Sequence, residues 1–211
     1  MKLRTDSKSI ALLAIFTSII IALEIFPIIG LTDFYTPVPN FTIDWTGIPI
    51  MIIFLGLGIT FSTISIGVMW VSIAYRNFNG AAFKFLAELL TLLGLVVAKL
   101  IIRDRELDWK LRTGIYLVSA CVFRSIGMYF GNIFLFTLFG YMPIDIAIGF
   151  SVIYIPWNVL QAAINVIGGT LLYQMIPENL AMQAGLGKYR TISEHKYEEI
   201  SADELESTSN E

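Results

Sequence analysis

Five long apolar runs, separated by short polar segments, make up most of this 211-residue chain. They cover residues 9–29, 46–75, 80–102, 113–139 and 147–176. A helix that crosses a bilayer needs about 20 predominantly apolar residues, so each run is long enough to cross. The run 46–75 is long for one crossing and short for two crossings of full length. The pattern predicts an all-α, polytopic membrane protein.

The placement of Lys and Arg decides how the run 46–75 is divided, because these residues are enriched in cytoplasmic loops. They precede the first run and surround the loop 103–112, whereas the segment 30–45 has none. If the N-terminus and the loop 103–112 are both cytoplasmic, an even number of crossings separates them. The run is therefore predicted to form two short helices, at about 46–57 and 61–76, broken near Gly56-Leu57-Gly58. Six transmembrane helices with both termini cytoplasmic result; one long tilted helix with an inverted loop is the alternative.

The segment 30–45 is predicted to be a structured first external loop. It is too polar to span a membrane, and Pro37 and Pro39 interrupt it between aromatic residues. Proline removes a backbone donor and fixes its own φ angle, which favours an ordered cap over a flexible linker. The loop is either a lid over an outward-facing pocket or an aromatic belt at the membrane interface.

Composition narrows the class of protein further. Hydrophobic residues make up 56% and charged residues 15%, against about 25% charged in an ordinary soluble domain. A single cysteine, Cys121, and a single histidine, His195, exclude a disulfide framework and a His/Cys metal site. The chain lacks a phosphate-binding loop and a nucleophile elbow, and its basic residues are too few for nucleic-acid binding, so we expect no enzyme and no cofactor.

The net charge of −3 divides unequally along the chain. Residues 178–211 contain 8 acidic and 3 basic residues, a charge of −5, and residues 1–177 contain 9 acidic and 11 basic residues, a charge of +2. We therefore predict a membrane domain over 1–177 and an acidic, disordered cytoplasmic tail over 178–211.

Four ionisable residues lie within the apolar runs, at Glu24, Lys84, Glu88 and Arg124. Such residues are costly in a membrane and mark a pathway, a ligand site or a buried pair. Lys84 and Glu88 are four residues apart and share a helix face, so they are candidates to neutralise each other. Glu24 and Arg124 are candidates for a second pair.

Uncharged polar residues form two stripes at helical spacing. They are Ser125, Tyr129 and Asn132 in the fifth segment, and Asn158, Gln161 and Asn165 in the sixth. Asn132 and Asn158 are expected at comparable depth, where two carboxamides can bind one flat heteroaromatic ligand. The alternative is hydrogen bonding between helices, which the spacing alone favours.

A third stripe consists of small residues on the first helix, at Ala14, Ser18 and Ala22. Small residues at this spacing let another helix approach closely. That helix belongs either to the same bundle or to a separate subunit, and both possibilities remain open.

The order of these features resembles the substrate-binding (S) components of energy-coupling-factor (ECF) vitamin transporters, of the riboflavin type, over residues 8–177. The string Ile43-Asp44-Trp45-Thr46-Gly47-Ile48-Pro49 is similar to the signature that opens the family's second helix. Pro156-Trp157-Asn158 is similar to the motif that opens its last helix. The small residues Ala14 and Ser18 resemble the family's docking motif, with Ser in place of the second Ala.

The resemblance implies a subunit of the cell membrane that binds riboflavin or a related vitamin outside. It also implies partners, a transmembrane coupling subunit and two ATPase subunits. Asn158 matches an asparagine that contacts the flavin rings, and Asn132 matches another candidate contact. Gln161 stands where the riboflavin type carries lysine, which leaves the identity of the vitamin open. Asp44, Lys84 and Glu88 complete the candidate substrate-binding set, and Ala14, Ser18 and Ala22 form the candidate docking set.

A stand-alone secondary transporter or small channel is the alternative function, with the intramembrane charged residues as an ion or proton relay. No inverted repeat supports it in the sequence.

Overall fold

The computed structural model describes residues 7–103, 105, 107–177, 181 and 186. These residues form seven helices and one two-stranded hairpin. The helices are α1 (Ser7–Ile25), α2 (Gly47–Gly56), α3 (Ile59–Ala74), α4 (Phe78–Ile102), α5 (Trp109–Leu138), α6 (Ile144–Ile153) and α7 (Ile155–Met175). The strands are β1 (Asp33–Tyr35) and β2 (Thr42–Asp44). The all-α prediction is confirmed, with the hairpin as the added element.

Four helices, α1, α4, α5 and α7, are long and apolar enough to cross a membrane. Their outer faces carry large apolar side chains that no described residue covers, such as Ile15 on α1, Val118 on α5 and Leu171 on α7. A folded chain that leaves so much apolar surface uncovered is suited to a lipid environment. The structure therefore has the character of a membrane-embedded protein, as predicted.

The run 46–75 is broken at the predicted place. Helix α2 ends at Gly56 and α3 begins at Ile59. Gly58 has a φ of 95°, in the left-handed region that residues with a Cβ rarely adopt, so glycine permits the sharp turn. All ten residues of α2 are buried.

Six of the helices pack in a closed ring, in the order α1, α3, α4, α5, α7, α2 and back to α1. Close approach in the ring depends on glycine in places. A Cβ added to Gly94 of α4 would lie 2.8 Å from the Cα of Ala120 in α5. The Ser119 hydroxyl donates to the Gly94 carbonyl at 2.7 Å and ties the same two helices together.

The run 147–176, from which one crossing was predicted, contains two helices, and the predicted start of the last helix at Pro156 is confirmed. Helix α6 ends at Ile153, α7 begins at Ile155, and Pro156 lies in the first turn of α7. Proline has no N–H and clashes with the carbonyl four residues earlier, so it starts a helix but cannot continue one. Helix α6 lies outside the ring, against α5 and α7.

The predicted structured loop is the hairpin of β1 and β2. The strands are antiparallel, with Asp33 opposite Asp44. The hairpin is tied to the helices at its turn, where the Tyr154 hydroxyl donates to the Pro39 carbonyl at 2.9 Å. Val38 of the turn is buried against Phe136 and other side chains of α5 and α6.

Two described residues of the predicted tail, Ala181 and Leu186, are buried in the main apolar core. The rest of 178–211 lies outside the described residues, so the disordered tail stays a prediction.

Candidate functional site

A cluster of buried polar side chains lies between α1, α4, α5, α7 and the base of the hairpin. We call it the polar cluster. Its members are Glu24, Asp44, Thr46, Lys84, Glu88, Thr91, Arg124, Asn158, Gln161 and Asn165. All but Lys84 are at most 8% exposed, and the Lys84 side chain is 21% exposed. Buried polar groups at this density need partners, since each unpaired one costs about 1–3 kcal/mol.

Lys84 is the centre of one ionic group. Its ammonium forms ion pairs with Glu24 of α1 and, at 2.8 Å, with Asp44 of β2. The predicted pairing of Lys84 with Glu88 was therefore wrong. Residues four apart share a helix face, but here the partners across the helix interface lie closer to the ammonium. Lys84 consequently joins three elements, α1, α4 and the hairpin.

The environment of Asp44, at the end of β2, favours the charged form of its carboxylate. Burial disfavours the charged carboxylate, but the Lys84 ammonium and hydrogen bonds from Thr46 outweigh burial and lower the pKa of Asp44. One of these bonds comes from the Thr46 backbone N–H at 2.9 Å. Across the strand pair, burial and then the Asp44 charge raise the pKa of Asp33. The pKa values of the two facing carboxylates of the hairpin are thus shifted in opposite directions.

Arg124 and Glu88 form the second ionic group, at 2.7 Å between α5 and α4. The prediction that Arg124 pairs with Glu24 was therefore wrong. The guanidinium also donates to the Thr91 hydroxyl at 2.9 Å and to the carboxamide oxygen of Asn158 at 3.3 Å. Arg124 is 4% exposed, so this pair is almost fully removed from solvent.

The Gln161 side chain clamps the hairpin by two hydrogen bonds to the hairpin main chain. Its Nε2 donates to the Asp44 carbonyl at 2.8 Å, and its Oε1 accepts from the Asp44 N–H at 3.1 Å. A lysine at position 161 would have no acceptor and could make only one of these bonds. The carboxamide of Gln161 is therefore needed for the double contact with the hairpin.

Asn165 joins the two ionic groups. Its oxygen accepts from Gln161 at 2.9 Å, and its Nδ2 lies 3.3 Å from each carboxylate oxygen of Glu88. Gly47 makes room for it, because a Cβ at that position would overlap the Asn165 carboxamide. The small residue in the Asp44–Pro49 string is thus needed for packing against α7.

Asn158 and Asn165 of the α7 stripe bond to other helices, as the alternative interpretation of that stripe predicted, whereas Gln161 bonds to the hairpin. Asn158 donates to the Tyr154 carbonyl at 3.0 Å and accepts from Arg124. Asn132, on α5, is buried with 2% exposure, and its Nδ2 has no hydrogen-bond partner among the described residues. It lies about 12 Å along α5 from Arg124, at 1.5 Å per residue. The structure does not join Asn132 and Asn158 in one set of contacts.

Aromatic side chains lie beside the polar cluster and beneath the hairpin turn; we call them the aromatic cluster. Its members are Phe41, Phe83, Phe136, Phe150, Tyr154 and Trp157. Phe83 and Phe136 have ring centroids 5.1 Å apart, and Phe136 lies 5.7 Å from Tyr154. Trp157 is adjacent in sequence to Asn158, so the two clusters meet at the start of α7. Flat faces and amide groups together suit a planar, polar ligand.

The small-residue stripe on α1 faces away from the bundle. Ala14, Ser18 and Ala22 are exposed, whereas the opposite face buries Thr17 and Ile20. The Thr17 hydroxyl lies 3.0 Å from that of Ser65 on α3. The stripe is therefore not used for packing within the described bundle.

The sequence prediction missed two members of the polar cluster as contacts, Thr46 and Thr91. Thr91 follows Glu88 by three residues, so its place on the same helix face was a usable signal. Within the described ranges, no group of His, Cys, Asp and Glu is arranged to hold a metal ion. A cavity of about 240 Å³ opens in the hairpin turn, lined by residues 35–42.

Comparison with known protein families, curated proteins and solved structures finds no match to this chain.

Proposed function

We propose that the chain is the substrate-binding membrane subunit of an ECF-type importer that captures riboflavin or a related vitamin. The observation that carries the proposal is the polar cluster, which lies beside aromatic rings beneath a latched hairpin. Burying charged and polar side chains inside an apolar bundle costs free energy, so such residues mark a functional site by default. Carboxamides and aromatic faces match the hydrogen-bonding edges and flat rings of such a ligand.

In this proposal the hairpin is the lid. Entry requires the Asp44 main chain to leave Gln161 and the Asp44 carboxylate to leave Lys84. The freed amide of Gln161, together with Asn132 and Asn158, then bonds to the ligand. Hydrogen bonds within the protein are thereby replaced by hydrogen bonds to the vitamin, so few buried polar groups are left without a partner.

The proposed topology has six crossings, made by the ring helices, with both termini in the cytoplasm. Helix α2, at ten residues, is about 15 Å long, half of the roughly 30 Å of a bilayer core. The length of α2 need not match the thickness of the bilayer, because other parts of the protein bury the helix completely. Short or broken helices are tolerated in membranes when protein surrounds them.

The proposed partners are a transmembrane coupling subunit and two ATPase subunits. The exposed stripe at Ala14, Ser18 and Ala22 is the proposed docking face. Ala14→Leu with Ser18→Leu should leave riboflavin binding intact and abolish uptake. Val118→Leu, at an exposed position on α5, is the matched control and should change neither. Loss of riboflavin binding in the α1 variant would contradict the proposal that the stripe is a docking face.

Purification tests the ligand directly. The protein, extracted from membranes in detergent, is expected to be yellow with flavin absorption bands. Added riboflavin should quench tryptophan fluorescence, because Trp157 belongs to the aromatic cluster. Asn158→Ala should weaken binding by about 1–3 kcal/mol. A colourless protein without quenching contradicts the flavin proposal; the same titration with other vitamins then tests the wider class.

The second candidate is a stand-alone transporter with a proton relay. It is favoured by the closeness of two ionic groups, Lys84 with Asp44 and Glu88 with Arg124, which Gln161 and Asn165 connect through the Asp44 main chain. Liposomes that contain this chain alone distinguish the two functions. Uptake driven by a pH gradient without ATPase subunits supports the relay, and uptake that needs ATP and the partner subunits supports the importer.

A further inference from the structure

The charges that the helices bring to the polar cluster balance each other. Lys84 of α4 is paired with Glu24 of α1, and Arg124 of α5 lies 2.7 Å from Glu88 of α4. The amides of α7 add hydrogen bonds to the cluster and no charge. The described helices therefore contribute two carboxylates and two cations.

The hairpin adds a third carboxylate to this balanced set. Asp44 of β2 lies 2.8 Å from the Lys84 ammonium, which is already paired with Glu24. One ammonium can neutralise only one of the two carboxylates. With the hairpin in place, the described part of the cluster therefore has one negative charge in excess, and the hairpin is the element that brings it.

The described charges around the hairpin do not offset this excess. Asp33 lies directly opposite Asp44 in the strand pair, so it adds a further carboxylate. Arg76 supplies the cation there, since its guanidinium donates to the Glu24 carbonyl at 3.0 Å and its charge acts on Asp33. One carboxylate and one cation are thus added together, and the excess of one negative charge remains.

An excess charge has a strong effect at this place because the cluster is removed from water. Asp44 is 6% exposed and Glu24 is 8% exposed. Like charges repel more strongly in such surroundings than at a surface, and salt screens them less. A bound anion would add to the excess, a neutral ligand would leave it unchanged, and a cation would remove it.

We propose that Asp44 determines the charge selectivity of the site, which accepts neutral and cationic ligands and excludes anions. This inference rests on the proposed function, in which the ligand lies beneath the hairpin. When the hairpin opens, Asp44 leaves a balanced set of helix charges. When it closes, the Asp44 carboxylate returns beside the ligand, so a carboxylate or phosphate group on the ligand opposes closure.

A matched pair of ligands tests the selectivity. Riboflavin is neutral, and riboflavin 5′-phosphate has the same rings and an added anionic group. The parent protein in neutral detergent should bind the phosphate ester more weakly, and Asp44→Asn should reduce the ratio of the two dissociation constants about tenfold. Asparagine keeps an oxygen that can accept from Thr46, and it leaves the main-chain bonds to Gln161 in place. The bulk of the phosphate group is the same for both proteins, so it cancels in this comparison.

Asp145→Asn is the matched control for the loss of one negative charge. Asp145 is exposed in the first turn of α6, so water and salt screen its charge. The ratio of dissociation constants should stay within about twofold of the parent value. If Asp44→Asn does not accumulate, Asp44→Ser takes its place. A ratio that is unchanged at position 44, or that falls equally in Asp145→Asn, would overturn the selectivity.

Fluorescence quenching tests the excess charge without a vitamin. Trp45 follows Asp44 and is 39% exposed. At constant ionic strength, caesium should quench Trp45 more strongly than iodide, each relative to free N-acetyltryptophanamide, because a negative site attracts the cation. Asp44→Asn should raise quenching by iodide about twofold, and this rise should vanish in a Trp45→Phe background.

The two experiments separate this inference from the proposed function. Equal relative quenching by caesium and iodide would overturn the excess charge, even if riboflavin binds. The expected quenching in a protein that binds neither flavin would contradict the vitamin proposal and support the excess charge at Asp44.

Discussion

The two halves of the helix bundle differ in where charged and amide side chains are buried. Near the hairpin, α4 buries Glu88 and Thr91, and toward its other end it buries Leu95, Ala98 and Ile102. Helix α7 shows the same change, from Asn158, Gln161 and Asn165 to Val166 and Tyr173, and α5, running the other way, changes from Tyr116 and Ala120 to Arg124 and Asn132. On these three helices the buried charged and amide side chains lie toward the hairpin, and of the polar side chains only hydroxyls such as that of Thr170 are buried beyond them.

This difference teaches how each half is held. The apolar half relies on close packing, which tolerates changes only at the cost of a cavity. The polar half relies on a network in which each group satisfies another, so that removing one member leaves its partner buried and unpaired. The proposed opening of the hairpin would therefore exchange partners in the polar half and leave the packing of the apolar half unchanged.

The largest predicted effect comes from breaking the deep ion pair. Arg124→Leu should lower the free energy of unfolding in detergent by about 3–5 kcal/mol, because the Glu88 charge stays buried without its partner. The double variant Glu88→Leu with Arg124→Leu should recover at least half of that loss. Leu95→Ala, in the apolar half, should cost about 2–5 kcal/mol and add to the Arg124 effect. A double variant no more stable than the single one would contradict the pairing.

The next effect concerns the clamp at the base of the hairpin. Gln161→Lys should free the Asp44 N–H and increase hydrogen exchange over residues 33–44, at a cost of about 1–3 kcal/mol. Gln161→Met, of similar length but without polar atoms, removes both bonds and should have at least as large an effect. Exchange rates equal to the parent's in both variants would show that other contacts hold the hairpin.

A smaller effect of opposite sign is expected at Asn132. Asn132→Leu removes a buried donor without a described partner, so stability should be unchanged or rise by about 1 kcal/mol. Asn165→Leu is the matched control and should lower stability, since Glu88 and Gln161 each lose a hydrogen bond to Asn165. If Asn132 contacts the ligand, its variant loses riboflavin binding while staying folded. Wild-type binding in Asn132→Leu would exclude that role.

The smallest effect is the pH response of the hairpin. The raised pKa of Asp33 means that protonation favours the folded hairpin, so protection from hydrogen exchange should grow as pH falls through that pKa. The lowered pKa of Asp44 means that its contribution is lost only at more acidic pH, as pH falls below its own pKa. Asp33→Asn should remove the first rise, worth less than about 1 kcal/mol. A rise that survives this substitution would assign it to another group.

The sequence predicted the features that depend on local chemistry. The break at Gly56-Leu57-Gly58 follows from glycine, and the structured loop from Pro37, Pro39 and their aromatic neighbours; its strands were not predicted. Pro156 had already marked the start of the last helix, but the apolar run around it hid the separate α6. Apolar content alone does not divide a run into two helices that turn against each other.

The contacts between helices could not be predicted from spacing. Lys84 has Glu88 on its own helix face, yet it bonds to Glu24 and Asp44, which the ring packing brings closer. The spacing of residues shows which side chains share a face of one helix. The tertiary packing determines which neighbouring helix or strand that face contacts. The partner of Gln161 could not be predicted either. It is the peptide group of Asp44, and a backbone group cannot be recognised from the pattern of side chains.

The Gln161 clamp has a consequence for how this site could change over evolution. Both of its hydrogen bonds go to the backbone of residue 44, and every residue type presents the same N–H and carbonyl there except proline, which lacks the N–H. The side chain at position 44 can therefore be exchanged while the hairpin keeps its anchor. The main chain of residue 44 therefore anchors the hairpin, whereas its side chain supplies the charge that pairs with Lys84, so the charge at this position can be altered with the clamp intact.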